Sequence, residues 1–216
     1  MLRQASALGS LLVDLIYPPR CSVCEATGAA LCNACLESIA PAPAAPPPLP
    51  LKAMLVAGAH RGALREAILR YKYQRDLSLL TPLAGLLATA VSLADDPWPP
   101  EALAPIPLHW RRRWWRSFDQ AQLLAEAVGR ATGIETMLPL RRVRSTRSQA
   151  RLNAAQRAEN VASAFALRPG AAVQGRRIAL VDDVFTTGAT LAAAAKPLLA
   201  AGAAAVYGLA LSHEGD

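Results

Sequence analysis

The chain reads as an α/β protein, a parallel sheet with flanking helices, preceded by a small metal-binding module. Three observations predict this. Residues 178–181, Ile-Ala-Leu-Val, run into Asp182 and Asp183 and then into a Thr/Gly turn that opens an Ala-rich helix. Upstream, short apolar runs alternate with stretches of helical period, as strands joined by helical crossovers do. All four cysteines fall in two Cys-x-x-Cys pairs, Cys21/Cys24 and Cys32/Cys35.

The N-terminal part, residues 1–40, is expected to hold a helix and a zinc module. Leu8, Leu11, Leu12, Leu15 and Ile16 share one helical face. Asp14 interrupts that stretch and only Arg3 precedes it, so no secretory signal is expected. Seven residues separate the two cysteine pairs, a spacing that suits a tetrahedral Zn²⁺ held by Cys21, Cys24, Cys32 and Cys35. Gly28 can supply an unusual turn between them. Four protein ligands leave no open position, which makes such a zinc structural. Two disulfides are the alternative, disfavoured in a reducing cytosol. Residues 41–50 are rich in proline and read as an extended linker. The large domain is expected over 51–216.

Within that domain the pattern predicts strands at 52–58 and 102–106, and helices at 62–73, 81–93 and 119–131. Leu64, Ile68 and Leu69 mark the apolar face of the first helix. Leu123, Leu124, Ala127 and Val128 mark that of the third, and Gly133 stops it. Residues 141–160 are polar and Arg-rich. A strand at 174–181, a helix at 191–201 and a strand at 204–211 complete the order. The apolar run at 83–93 is too short to span a bilayer, which needs about 20 residues. A soluble, cytoplasmic protein is expected.

Of 216 residues, 53% are hydrophobic and 18% charged, enough apolar content for a real core. The net charge of +7 is carried almost wholly by Arg, with Lys only at 52, 72 and 196. That balance suits phosphorylated ligands or nucleic acid without choosing between them.

The chemistry concentrates at residues 182–190. In open α/β sheets ligands bind beyond the carboxyl ends of strands. Thr186, Thr187, Gly188, Ala189 and Thr190 offer hydroxyls, backbone N–H groups and a helix N-terminus to a phosphate. Asp182 and Asp183 suit the hydroxyls of a sugar carrying that phosphate, or Mg²⁺ with its waters. The segment describes a binder of a sugar 5-phosphate.

These residues resemble the signature by which type I phosphoribosyltransferases bind 5-phosphoribosyl 1-pyrophosphate (PRPP): three apolar residues, Asp-Asp, three further residues, then Thr-Gly-x-Thr. More blocks occur in order: Leu64, Ile68, Lys72 and Tyr73; Pro105, Pro107, Leu108 and His109; Arg116 to Ala121; and Arg142, Arg144, Thr146, Gln149, Leu152, Arg157 and Asn160. With the four-cysteine head, the chain resembles the ComF family over nearly its whole length. The resemblance implies a type I phosphoribosyltransferase-like fold, PRPP as ligand with Mg²⁺, and an association with competence, the uptake of single-stranded DNA. It implies that Arg116, Arg142 and Arg144 help hold the ligand. It places a pyrophosphate loop at 105–120, where Arg111, Arg112 and Arg113 add positive charge beside Trp114 and Trp115, and a closing lid at 141–157. Ser117 and Asp119 stand where that family usually has Gly and Asn, and Ala189 where many members have a second Gly. Two functions stay open: phosphoribosyl transfer to an unread acceptor, and a non-catalytic module that handles single-stranded DNA. Neither Lys72 nor His109 receives a role.

Overall fold

A computed structural model describes residues 18–44, 46–94, 100–107, 119–143 and 164–215. The predicted helix around Leu8 to Ile16, the 108–118 part of the pyrophosphate loop with His109 and Arg116, and residues 144–157 with Arg144 lie outside the described residues.

The head contains α1 (Asn33–Glu37). Then come β1 (Met54–Ala59), α2 (Gly62–Leu69), α3 (Leu80–Ser92), β2 (Ala102–Pro105), α4 (Gln120–Thr132) and β3 (Glu135–Thr136). The chain continues through β4 (Leu140–Arg142), β5 (Phe165–Leu167), β6 (Arg177–Phe185), α5 (Ala189–Ala200) and β7 (Ala205–His213). Five strands form one parallel sheet in the order β1-β7-β6-β2-β3. Strands β4 and β5 pair antiparallel as a separate ribbon.

The signature strand shows why the run at 178–181 lacks polar alternation. Ala179 and Val181 point into a core shared with α2, α3 and α4, through Leu64, Ile68, Leu83, Leu87, Leu124 and Val128. Ile178 and Leu180 point into the other core, with Leu191, Ala194 and Leu198 of α5. Successive side chains alternate across the sheet, and a parallel sheet covered on both faces is apolar on both.

Several expected boundaries move. The signature strand begins at Arg177, because Gly175 makes a left-handed turn (φ 71°) just before it. It runs on through both carboxylates to Phe185, since β7 keeps pairing with it as far as Phe185 opposite His213. The helix expected over 62–73 is α-helical only to Leu69 and widens into a π turn over Arg70–Gln74. Arg75 ends that turn in the left-handed region (φ 59°) without being glycine. The expected lid does not begin at Arg141: Arg141 and Arg142 are fixed in β4 opposite Ala166 and Phe165. Helix α4 is bounded as its sequence indicates, with Asp119 accepting from the Gln122 N–H at 3.3 Å and Gly133 (φ 75°) closing it. Among the described residues no helix is long and apolar enough to cross a membrane.

The proline-rich segment lies against the domain. His213 Nδ1 is 3.2 Å from the Pro43 carbonyl oxygen, Leu51 is buried, and a Cβ added at Gly188 would collide with Pro48.

Candidate functional site

The sheet order creates a switch point. From β2 the chain steps outward to β3, and from β6 it steps the opposite way to β7 and β1's side. Helical connections therefore diverge between β2 and β6 and leave a crevice at the strands' carboxyl ends. A cavity of about 360 Å³ lies there. Ile106 and Pro107 follow β2, Asp182, Asp183 and Val184 stand near the end of β6 with Thr186 just beyond it, His60 follows β1 and Glu214 follows β7. Lys72, Gln120, Arg142 and Thr190 come from the surrounding elements.

The two carboxylates differ. Asp183 Oδ1 is 2.9 Å from Lys72 Nζ in a half-buried ion pair. Asp182 Oδ1 accepts from the Asp183 N–H at 2.9 Å. Burial, and then repulsion from Asp183, push Asp182 up to about 7.

Beside them the chain turns through Thr186 and Thr187, both exposed, to Gly188. Gly188 adopts φ 71° and precedes α5, and among the described residues no side chain caps that helix. The leading N–H groups of a helix have no internal partner and attract anions. Glycine is required at 188 for two reasons: the left-handed backbone, and the approach of Pro48 and of Phe185 Cε2, the latter 2.8 Å from where a Cβ would stand. Ala189 is already the first helical residue, so the second glycine of related signatures is not needed for its conformation.

Of the expected ligand residues, the structure brings together Asp182, Asp183, Thr186, Thr190 and Arg142 in one cavity, with Thr187, Gly188 and Ala189 in the adjoining turn. The Arg142 guanidinium also lies 5.3 Å from the Phe165 ring centre, within cation–π range. The Asp119 carboxylate accepts from the Gln122 N–H and caps α4, a task Asn performs equally well. The residues missed from sequence are His60 and Glu214. His60 Nδ1 lies 2.8 Å from Ser212 Oγ, and burial is the main cause that lowers its pKa. Lys72 was singled out without a role and now has one in the ion pair.

The second site is the cysteine cluster, whose four sulfur atoms lie within 4.8 Å of one another. A tetrahedral Zn²⁺ with bonds of about 2.3 Å places its thiolates about 3.8 Å apart. Cys21 and Cys35 are 3.7 Å apart and Cys24 and Cys32 3.5 Å apart, so the donor set fits. Burial opposes ionisation of Cys21, but N–H groups of Cys24, Cys32 and Val23 turned to its sulfur bring it down to about 6. Burial and the surrounding thiols push Cys35 up. Glu25 (φ 63°) and Gly28 (φ 120°) make the left-handed turns that close the knuckle.

A family model described as a double zinc ribbon domain matches residues 12–47. The chain is 37% identical over 143 residues to competence protein F of Haemophilus influenzae, covering 64% of this chain and 62% of that protein. It is 34% identical over 197 residues to the DNA utilization protein YhgH of Escherichia coli K12, covering 89% and 82%. Competence protein ComFC of Bacillus subtilis is 32% identical over 146 residues, covering 66% and 56%. Among solved structures, glutamine PRPP amidotransferase from B. subtilis is similar over 65% of this chain and 30% of that one, with 21% identity and a TM-score of 0.43. Adenine phosphoribosyltransferase from Leishmania tarentolae is similar over 63% and 58%, with 16% identity and a TM-score of 0.39.

Proposed function

We propose that this chain, which belongs to the ComF family of competence and DNA-utilization proteins, binds PRPP at the carboxyl end of its sheet and transfers the phosphoribosyl group to an acceptor. One observation carries the reading. A carboxylate pair stands near the carboxyl end of β6 at the switch point, and the Thr/Gly turn that follows the strand leads into α5, whose start no described side chain caps. A sugar 5-phosphate calls for both chemistries, acceptors for its hydroxyls and N–H donors for its phosphate.

In this reading the turn at 186–190 takes the 5-phosphate through N–H groups and hydroxyls. Asp182 and Asp183 accept from the ribose 2- and 3-hydroxyls. Mg²⁺ fits the same surroundings, since it prefers carboxylate oxygens and water, and when bound it supplies counter-charge to pyrophosphate. The acceptor attacks C1 as pyrophosphate leaves, and positive charge develops on the sugar. Fixed carboxylates beside that charge stabilise it without reorganising. Arg142 and Lys72 bring cationic charge to the anionic ligand.

The experiment is calorimetry with PRPP and Mg²⁺ on the unaltered chain and on the Asp182→Asn, Asp183→Asn double variant. Binding is expected in the first and lost in the second, with both remaining folded. Equal affinity in the two would refute the site. The names of the relatives favour a second reading, in which the protein handles single-stranded DNA and the sugar-phosphate site serves binding and not catalysis. Release of pyrophosphate from PRPP distinguishes the two.

A further inference from the structure

We infer that Lys72 is a positioning residue of the ligand site, held against Asp183 by a lock between the π turn and the buried side chain of Gln120. The inference rests on the PRPP reading of that site.

Lys72 lies in the π turn Arg70–Gln74, which forms the C-terminal end of the helix begun by α2 and is closed by left-handed Arg75. Such turns rearrange backbone carbonyls and frequently mark functional positions. Here the rearranged carbonyls have a dedicated partner. Gln120 Nε2 donates to the carbonyl oxygens of Tyr71 at 3.0 Å and Lys72 at 2.8 Å. Tyr71 returns the contact, its hydroxyl donating to the Gln120 carbonyl oxygen at 2.9 Å. Tyr71 and Gln120 are 1% and 2% exposed, so the two hydrogen bonds between them are buried and, with the part-buried one to Lys72, fix the turn against the start of α4. The product of that arrangement is one ammonium group placed 2.9 Å from Asp183, a residue 111 positions away.

Stability alone does not account for it. Replacing both members of such an ion pair by apolar groups is often neutral. What the lock secures is a positive charge at the mouth of a cavity whose signature supplies two negative ones. An anionic ligand approaching Asp182 and Asp183 meets net repulsion unless a cation stands with them. Lys72 supplies that cation from the protein itself. By engaging Oδ1 it also sets the plane of the Asp183 carboxylate for a sugar hydroxyl. Gln120 acts through Lys72 and is a positioning residue in turn.

The test is calorimetry with PRPP and Mg²⁺ on the full zinc-loaded chain. Lys72→Met is expected to weaken binding by at least about tenfold; because it leaves Asp183 without its cation it also lowers the melting temperature, so binding is read well below that temperature. Lys72→Arg, which restores the charge, is expected to recover most of the affinity. Gln120→Leu, which keeps Lys72 and releases the turn, is expected to weaken binding too. Lys72→Gln serves in place of Lys72→Met should the latter not fold. Binding by Lys72→Met that equals or exceeds the unaltered chain overturns the inference, as does Lys72→Arg binding no better than Lys72→Met. Gln120→Leu binding like the unaltered chain overturns the lock. No binding by the unaltered chain sinks the PRPP reading, and this inference with it; binding that ignores Lys72 sinks this inference alone.

Discussion

Replacing Asp182 by Asn is expected to make the ligand-free protein more stable at about pH 8, although it removes a group assigned to the ligand. The carboxyl is pushed from an ordinary value of 3.8 to about 7 by burial and by Asp183. Holding it ionised in the folded state therefore costs up to about 4 kcal/mol above neutral pH. Asn keeps the shape and the acceptor oxygen that takes the Asp183 N–H at 2.9 Å. That cost already includes the attraction of Lys72, which lowers the Asp182 pKa; the amide NH₂ that replaces the second oxygen needs a hydrogen-bond partner of its own and offsets part of the gain. A net gain of about 1–3 kcal/mol remains, worth about 2–10 °C in melting temperature for a chain of this size.

The sign follows from proton uptake. A carboxyl whose folded pKa is raised binds more protons folded than unfolded. Its penalty is absent below about 3.8, grows through the interval and is complete above about 7. The advantage of Asn should thus be greatest near pH 8, smaller near about pH 5 and absent near about pH 4. Thermal unfolding at constant zinc, followed across that range, measures it. A variant that melts below the unaltered protein at the alkaline end, or a gap that ignores pH, would show that Asp182 is not held under strain.

Other outcomes follow from the same contacts. The purified chain should carry one zinc per four-cysteine cluster, and Cys35→Ser should lower its melting temperature, because metal binding is coupled to folding of the head; metal analysis of fresh reduced protein decides this. Tyr71→Phe removes the hydroxyl that donates to the Gln120 carbonyl and should cost about 1 kcal/mol in denaturant unfolding; a loss of nothing would mean that the contact is not formed in solution. Gly188→Val meets both a left-handed backbone and Pro48, and should destabilise by about 2 kcal/mol or more; urea titration reads it, and a neutral result contradicts the packing of Pro48 on that turn. Single-stranded DNA binding, on the second reading, should weaken steeply with salt, and replacing Arg111, Arg112 and Arg113 together should flatten that slope; salt-indifferent binding argues against a phosphate contact there.

The parts of this site that were legible in the sequence are those written locally. A strand, an acid pair, a Thr/Gly turn and a helix are contiguous from Arg177 to Ala200, so one segment carries both the element pattern and the chemistry. The cysteines are likewise local, and their spacing alone indicates the tetrahedron. What was not legible depends on distant partners. Nothing around Lys72 announces an ion pair with a residue 111 positions away. The π turn is hidden because Arg70–Gln74 is made of residues that suit a helix, and its exit at Arg75 lacks the glycine that usually signals a left-handed residue. Strands β4 and β5 are three residues each and 23 positions apart in register at Arg142 and Phe165, too short and too remote for alternation to show. His60 and Glu214 follow strands whose ends are set by pairing with neighbours, not by turn residues.

The cysteine head is bound to the same assembly by its own insufficiency. A module of this size cannot bury enough apolar surface by itself. Cys21, Leu31 and Cys35 are buried in one core with Leu64, Ile68 and Tyr71 of the large domain. Ser22, between the first two thiols, donates to the carboxylate of Asp76, which follows the π turn and caps the short 3₁₀ turn at Leu77–Leu79. The π turn is therefore fixed from two directions: by Gln120 at the carbonyls of Tyr71 and Lys72, and by the zinc knuckle through Asp76 just beyond its exit. A zinc ion holding the four cysteines together would thereby help order the segment that places Lys72 beside Asp183. The cysteine cluster and the cavity at the strand ends are separate in chemistry but share the turn that lies between them.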